Sequence, residues 1–504
     1  MSFLTRLRPP KSVPLGSLGS QRADGLVAEL VAALSPDRVR TDVAQQRLLS
    51  RDASVFDGGH AGPVCFPRST AEVQAIMQIT ARHGRPVVAR GAGTGLAGGA
   101  IPLASDATNS PVVVSMTHLN AILEVDLDNR IAWVEPGVVN LDLTKHLGSF
   151  GFHFAPDPSS QQVCTIGGNV ANNSGGPHCL AYGVTNAHVM AIDVVLPDGS
   201  LARLGGLDPE PLGLDLRGVY VGSEGTMGIA TKIAVRISPN YEAVRTLLLS
   251  FSSVADAART VSAIIASGIV PAALEMMDQR MTTAVENYVH AGYPTDAAAV
   301  LLAEVDGLSV GVDVDAQAIA RIGTEQGATA VRMATDETQR ALLWKGRKTA
   351  FGAIAQIAPD YYLHDTVVPR AKLAEVLEKT YEIAERYGVI ILNVLHAGDG
   401  NLHPLMVFDA RVPGMLDKVH AAGAEIITAS LDAGGVLSGE HGIGIEKRAY
   451  MDRMFSDADL DHQNRLRRSF DPTCRSNPGK VLPGGHSCAD IQSLYSAAPD
   501  GVWG

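Results

Sequence analysis

The feature that most limits what this chain can become is a set of three glycine-rich runs in otherwise apolar sequence: Arg90 to Gly99, Ile166 to Gly176 and Gly222 to Gly228. Glycine in such places lets backbone approach a ligand closely, because no Cβ stands in the way. The first run follows an apolar strand pattern, Val87 to Arg90, a common setting for a phosphate site. Within it Gly93, Gly95 and Gly98 satisfy GxGxxG, yet the dinucleotide reading fails on context. Gly98, Gly99 and Pro102 break the helix that such a loop must open, and no Asp or Glu ends the next strand, Val112 to Ser115, to hold a ribose. A nest of backbone N–H groups grips a pyrophosphate without a helix. One such run is an ordinary turn; three in one region, the second rich in Asn and Ser, point to a long polar cofactor lying across a domain.

A chain of 504 residues exceeds what one hydrophobic core serves. The expected organisation is a disordered tail at 1–20, a cofactor domain at 21–240, a substrate domain at 241–484 and a second tail at 485–504. Through the first domain a helix over Thr70 to His83 alternates with strands at Pro86 to Arg90, Val112 to Ser115, Ile131 to Glu135, Ala191 to Leu196 and Ile229 to Ser238, and Pro239 with Asn240 marks the boundary. Beyond it, strands at Thr246 to Phe251, Ala299 to Val305 and Val389 to Leu395 are separated by Ala-rich helices. The class is α+β.

A formal net charge of −12 speaks against a nucleic-acid partner. Apolar stretches such as Val389 to Leu395 fall far short of the roughly 20 residues of a membrane-spanning helix. The basic N-terminal stretch lacks the apolar centre of a signal peptide, and a cytoplasmic protein is expected. Cys65, Cys164, Cys179, Cys474 and Cys488 show no Cys-x-x-Cys spacing, so free thiols are expected rather than an iron–sulfur cluster or zinc knuckle. Electrons moved by such a chain must leave it for another carrier.

In the second domain an apolar strand runs into His396-Ala-Gly-Asp-Gly-Asn-Leu-His403, and Pro404 to Phe408 continues as a strand. Asp-Gly between apolar strands signals a hairpin. With Asp399 and Gly400 as the central turn residues, His396 pairs with His403, and two opposed imidazoles can reach one metal ion. A third ligand is available from Ser438 to Gly444, where Glu440 and His441 sit among glycines. Taken singly each is an ordinary loop histidine; two in register beside a Glu-His pair favour a metal site.

Together the runs Arg90 to Gly99, Pro156-Asp157-Pro158-Ser159-Ser160, Ile166 to Gly176 and Gly222 to Gly228 resemble the FAD-binding domain of the vanillyl-alcohol-oxidase-type flavoproteins. Within that family the chain is similar to the FAD-linked catalytic subunits of bacterial glycolate oxidases and to the D-lactate and D-2-hydroxyglutarate dehydrogenases. The likeness extends from about Asp52 to Pro483. It implies a two-lobed FAD domain followed by an α+β substrate-binding cap whose last segment returns to the flavin.

The resemblance implies that Arg90, Gly91, Ala92, Gly93, Thr94, Gly95, Gly98 and Gly99 surround the FAD pyrophosphate. Pro156, Asp157, Ser160, Gly167, Gly168, Asn172, Ser174 and Gly175 would follow along the cofactor, with Tyr182, Gly183, Glu224, Gly228, Ile229 and the C-terminal Asn477 completing its site. The first loop holds no histidine, so the attachment is non-covalent. It further implies that His396, His403 and Glu440 bind a divalent cation, often zinc, that His441 is the catalytic base and that Arg347 grips the substrate carboxylate. By sequence alone, Trp344 to Lys348 would be a solvated helix face.

The implied activity is oxidation of a small 2-hydroxy acid, glycolate or D-lactate, to the 2-oxo acid, with hydride passing to flavin N5. No Lys or Arg lies among Tyr361 to Asp365 to take a second carboxylate, which favours these substrates over a dicarboxylic acid. Reoxidation would use an iron–sulfur partner subunit, a quinone, a cytochrome or dioxygen, with peripheral association at the inner membrane in a quinone-linked route. The competing readings are a metal-free FAD alcohol oxidase of the same fold and a non-catalytic FAD-binding subunit of a larger complex.

Overall fold

A computed structural model describes residues 25–104, 109–208 and 213–483. The tails expected at 1–20 and 485–504 lie outside these residues.

The first glycine run leaves the end of a small buried sheet. Val87–Arg90 pairs in parallel with Val112–Ser115, which pairs in parallel with Val64–Cys65. Parallel strands need cover on both faces, which explains their unbroken apolar sequence. The helix Thr70–Arg82 supplies cover through Val73, Ile76 and Met77, and Ser69 caps it by accepting the Glu72 N–H. A five-stranded antiparallel sheet follows, ordered 122–126, 131–134, 229–236, 189–195 and 201–205. Leu143, Leu147, Ile166 and Val170 pack on its Ile192, Val194 and Ile233. The second glycine run is partly helical: Ile166–Asn172 is capped by Thr165 and stops at Asn173, whose φ is +53°.

The second half is built on an eight-stranded sheet whose path runs 328–333, 243–251, 299–307, 273–278, 390–396, 401–408 and 360–363, with 366–367 joining beside 401–408. Helices cover both faces. Leu247, Leu249 and Phe251 meet Val261, Ile319 and Val376 on one side, while Leu248, Met277 and Leu302 meet Val285 and Leu343 on the other. Strand alternation then fixes the chemistry of that second face. Register pairs Thr246 with Glu304, Glu304 with Ala273, and Glu275 with His396, so a row of polar side chains crosses an otherwise apolar surface.

The hairpin differs from its expected register. His396 pairs with Asn401, and His403 stands opposite Val394. The turn holds four residues, Ala397 to Gly400, with the Gly400 N–H donated to the Ala397 carbonyl and Gly400 at φ +74°. A four-residue loop closed by a left-handed glycine replaces the two-residue turn. His396 and His403 are therefore diagonal neighbours on one face, with ring centroids 5.1 Å apart.

After the helix Asp457–Phe470 the chain crosses back to the first sheet, where Ser476 bridges Val87 in parallel and Asn477 donates its N–H to the Val87 carbonyl at 2.7 Å. Cys65, Cys164 and Cys179 are free thiols. Cys474 corrects the expectation for its class: it is disulfide-bonded. Spacing along the sequence could not reveal this, because a disulfide needs proximity in space. No helix among the described residues is long and apolar enough to cross a membrane.

Candidate active site

The loop Ser438 to Gly444 is held by one buried carboxylate. Asp365 accepts hydrogen bonds from Ser438 Oγ at 2.6 Å and from the N–H groups of Gly439 and His441 at 3.1 and 3.0 Å. Lys447 Nζ, also fully buried, adds an ion pair at 3.0 Å. Burial alone would raise the Asp365 carboxyl, but Lys447 and the nearby His441 and His403 hold it well below its usual range. Gly439 is needed here because a Cβ would fall 2.3 Å from Asn401 Nδ2.

This loop aims Glu440 at the hairpin. His396 Nε2 and His403 Nε2 each lie 3.3 Å from Glu440 Oε1, and His441 Nε2 lies 3.8 Å from the same oxygen. The His403 and His441 rings stack at 5.1 Å with 9° between their planes. Ligand atoms of His396, His403 and Glu440 all fall within 4.8 Å of one another, a spacing at which three donors reach one ion. Asp365, His403 and His441 meet the same criterion, but the Asp365 oxygens are already engaged with Lys447 and the loop amides.

Burial holds His441 down to about 4, so its imidazole is neutral at pH 7 and able to take a proton. Its Nδ1 is buried without a hydrogen-bond partner among the described residues. His396 is pushed the other way: against the cost of burial, Glu275 and Glu440 raise it to about 10.

Arg347 is buried on the inward side of its helix, not solvated as the basic run alone suggests. Its Nη2 stands 2.5 Å from Glu275 Oε2, an ion pair by distance but off the hydrogen-bond direction, and its Nε is a buried donor with no partner among the described residues.

The glycine runs converge on the same place. Around Gly91 to Gly99 the carbonyls of Gly95, Ala97, Gly98 and Gly99 accept hydrogen bonds. Among the described residues no acceptor takes the N–H groups of Ala92 to Gly99, which leaves these donors available to an anion. Arg90 folds beneath this loop and donates to the Arg51 carbonyl at 2.6 Å; a Cβ on Gly93 would collide with its guanidinium. In the second run, Gly175 passes so close to Glu440 that a Cβ would lie 3.0 Å from Oε2, and Asn172 Nδ2 donates to the His441 carbonyl at 3.2 Å. Asn169 Nδ2 and Ser223 Oγ are buried without hydrogen-bond partners among the described residues, polar atoms suited to a cofactor.

Other residues expected along the cofactor have their side chains committed to the protein. Both Glu224 oxygens accept N–H groups of the cap loop, with Ile443 at 2.7 Å and Gly444 at 2.8 Å. Asn477 Nδ2 ties the first and third runs together through the carbonyls of Gly99 and Glu224, at 2.8 and 2.6 Å. Asp157 pairs with His178 at 2.9 Å and Lys348 at 3.1 Å, and the Tyr182 hydroxyl donates to Asp306 at 2.5 Å. Pro156 offers its carbonyl to Asn140 Nδ2, and Gly167 packs against Pro136. Gly168 donates to the Thr165 cap, while Thr185 closes on the Ser174 carbonyl. Ser160 carries a turn, and Gly183, Gly228 and Ile229 serve through backbone placement.

Sequence reasoning passed over Glu275, Asp365, Lys447 and the pair His178 and Glu304. None sits in a motif; each is a single charged residue whose meaning depends on a strand neighbour or on a distant loop.

Residues 62–205 match the FAD binding domain family and residues 240–481 the family of FAD linked oxidases, C-terminal domain. The chain is 42% identical over 432 residues, 86% of each chain, to the glycolate oxidase subunit GlcD of Escherichia coli (strain K12). It is 32% identical to the D-lactate dehydrogenase of Anaerostipes hadrus over 430 residues, 82% of this chain and 88% of that one. The fold is shared with 4-ethylphenol oxidase from Gulosibacter chungangensis, at a TM-score of 0.76 and 19% identity, covering 91% of this chain and 97% of that structure. With its three glycine runs tied to one another by hydrogen bonds and both domain families accounted for, this chain belongs to the FAD-linked oxidases of the vanillyl-alcohol-oxidase fold.

Proposed function

We propose that this protein oxidises a small 2-hydroxy acid, glycolate or D-lactate, to the 2-oxo acid, using non-covalently held FAD and a divalent cation held by His396, His403 and Glu440. The observation that carries this reading is the placement of a neutral His441 and a buried Arg347 on either side of that three-ligand group, against the glycine runs. Two imidazoles and one carboxylate suit zinc. When bound, FAD supplies a hydride acceptor and the cation supplies Lewis acidity that lowers the pKa of a hydroxyl.

The chain's own residues do the rest. Arg347 holds the substrate carboxylate with a planar guanidinium fork, and its free Nε is one of the donors. His441 Nε2, uncharged at rest, takes the hydroxyl proton. Burial of His396, His403 and Arg347 keeps water from the reacting carbon. With no basic residue among Tyr361 to Leu363, a second carboxylate finds no partner on that strand. Electrons then leave for an iron–sulfur partner subunit, a quinone, a cytochrome or dioxygen.

The test is anaerobic titration of FAD- and zinc-replete protein with glycolate, D-lactate, L-lactate and D-2-hydroxyglutarate, following the oxidised-flavin band. Bleaching by glycolate or D-lactate is expected. No bleaching by any of the four, with FAD and zinc confirmed present, overturns the reading.

A further inference from the structure

Glu275 lies in the strand Ala273–Asp278, directly opposite His396, and is 1% exposed. Its two oxygens face two different functional groups. Oε1 is 2.8 Å from His396 Nδ1, and Oε2 is 2.5 Å from Arg347 Nη2. A carboxylate this deep is costly unless its neighbours need it. Resting on the reading above, we propose that Glu275 is the positioning residue of the site: one oxygen turns His396 Nε2 toward the cation, and the other sets the guanidinium of Arg347 for the substrate carboxylate.

The geometry leaves little alternative for His396. Accepting the Nδ1–H fixes the ring tautomer, so the lone pair rests on Nε2, the atom that faces Glu440 at 3.3 Å. Arg347 Nη2 also approaches His396 Nδ1 at 3.5 Å, so an imidazole N–H and a guanidinium share the single carboxylate, each on its own oxygen. The strand pairing makes the arrangement rigid, because Glu275 and His396 are held in register by the sheet itself. The metal-facing atom and the carboxylate-gripping atom are thus fixed relative to one another by one side chain that touches neither ligand.

The experiment uses the FAD-loaded protein and measures zinc affinity by competition with a chromophoric chelator, together with KM and kcat for glycolate. E275Q should weaken zinc binding by roughly 10- to 100-fold, the usual loss when a ligand histidine loses its outer carboxylate. It should also raise KM by more than it lowers kcat. E275D, which keeps the charge, should recover part of the zinc affinity, whereas R347M should leave it unchanged. The double variant E275Q/R347M removes the stranded arginine charge and should still bind zinc as weakly as E275Q. Wild-type zinc affinity in E275Q, or restored affinity in the double variant, would overturn the assignment. Failure of the wild-type protein to take up zinc would instead bring down the cation reading itself, and the assignment with it.

Discussion

Asp365 accepts the backbone N–H of His441 at 3.0 Å across 76 residues of sequence, while the same carboxylate carries the ion pair to Lys447. One side chain therefore sets where the proposed base stands. Removing it in D365A leaves the Lys447 ammonium buried and unpaired, a change that costs about 3–5 kcal/mol in comparable buried pairs. Denaturant unfolding followed by fluorescence should show that loss, and the flavin should be reduced slowly even where the fold survives. Wild-type stability in D365A would mean that Lys447 finds another partner.

His441→Ala should leave FAD bound and slow flavin reduction by glycolate about 100-fold or more, the usual share of a positioned acid or base. Stopped-flow absorbance on the reductive half-reaction reads this directly. Unchanged kinetics would remove His441 from the chemistry.

Gly444→Ala tests the closure of the cap loop on the cofactor domain. Gly444 has φ +52°, and a Cβ there would lie 2.0 Å from the Ala97 carbonyl oxygen. Backbone cannot yield as a side-chain tip can, so a loss of about 1–3 kcal/mol or more is expected, with less flavin retained through gel filtration. Retention equal to wild type would show that the first glycine run is mobile enough to give way.

The interdomain clasp predicts a pH dependence. His178 lies 2.9 Å from Asp157 and 3.4 Å from Glu304, and against the cost of burial these carboxylates raise it from 6.5 to about 10. A raised histidine contributes fully below its unfolded value, so this contribution is complete below 6.5 and is lost as pH rises through about 10. Burial alone would raise Glu304, but His178 and Arg340 lower it from 4.5 to about 2, so its share is present above 4.5 and is lost as pH falls through about 2. The clasp is strongest between 4.5 and 6.5. Thermal melts should show Tm declining on the alkaline side, with H178N flattening that limb; a parallel decline in H178N would assign it to other groups.

Much of this was legible in the sequence because local rules govern it. The helix beginning at Thr70 and the strand at Val112–Ser115 each follow from a few neighbouring residues. The hairpin was legible as a hairpin, but its register was not: Asp-Gly allows more than one loop length, and the longer loop lets the tip meet Leu180, close to where a Cβ on Gly398 would sit. Glu275 could not be found by pattern, since on paper it is one acidic residue in an apolar strand and becomes informative only once His396 lies opposite it. Cys474 was misread for the same reason.

The return of Ser476 and Asn477 to the first sheet has a consequence for biosynthesis. Asn477 Nδ2 joins the first and third glycine runs, and the strand edge at Val87 is closed by residues nearly 390 positions later. A ribosome that has finished every strand of the cofactor domain has still not made the residue that locks its loops together. A polypeptide truncated before Asn477 would carry all three glycine runs without the side chain that ties the first to the third.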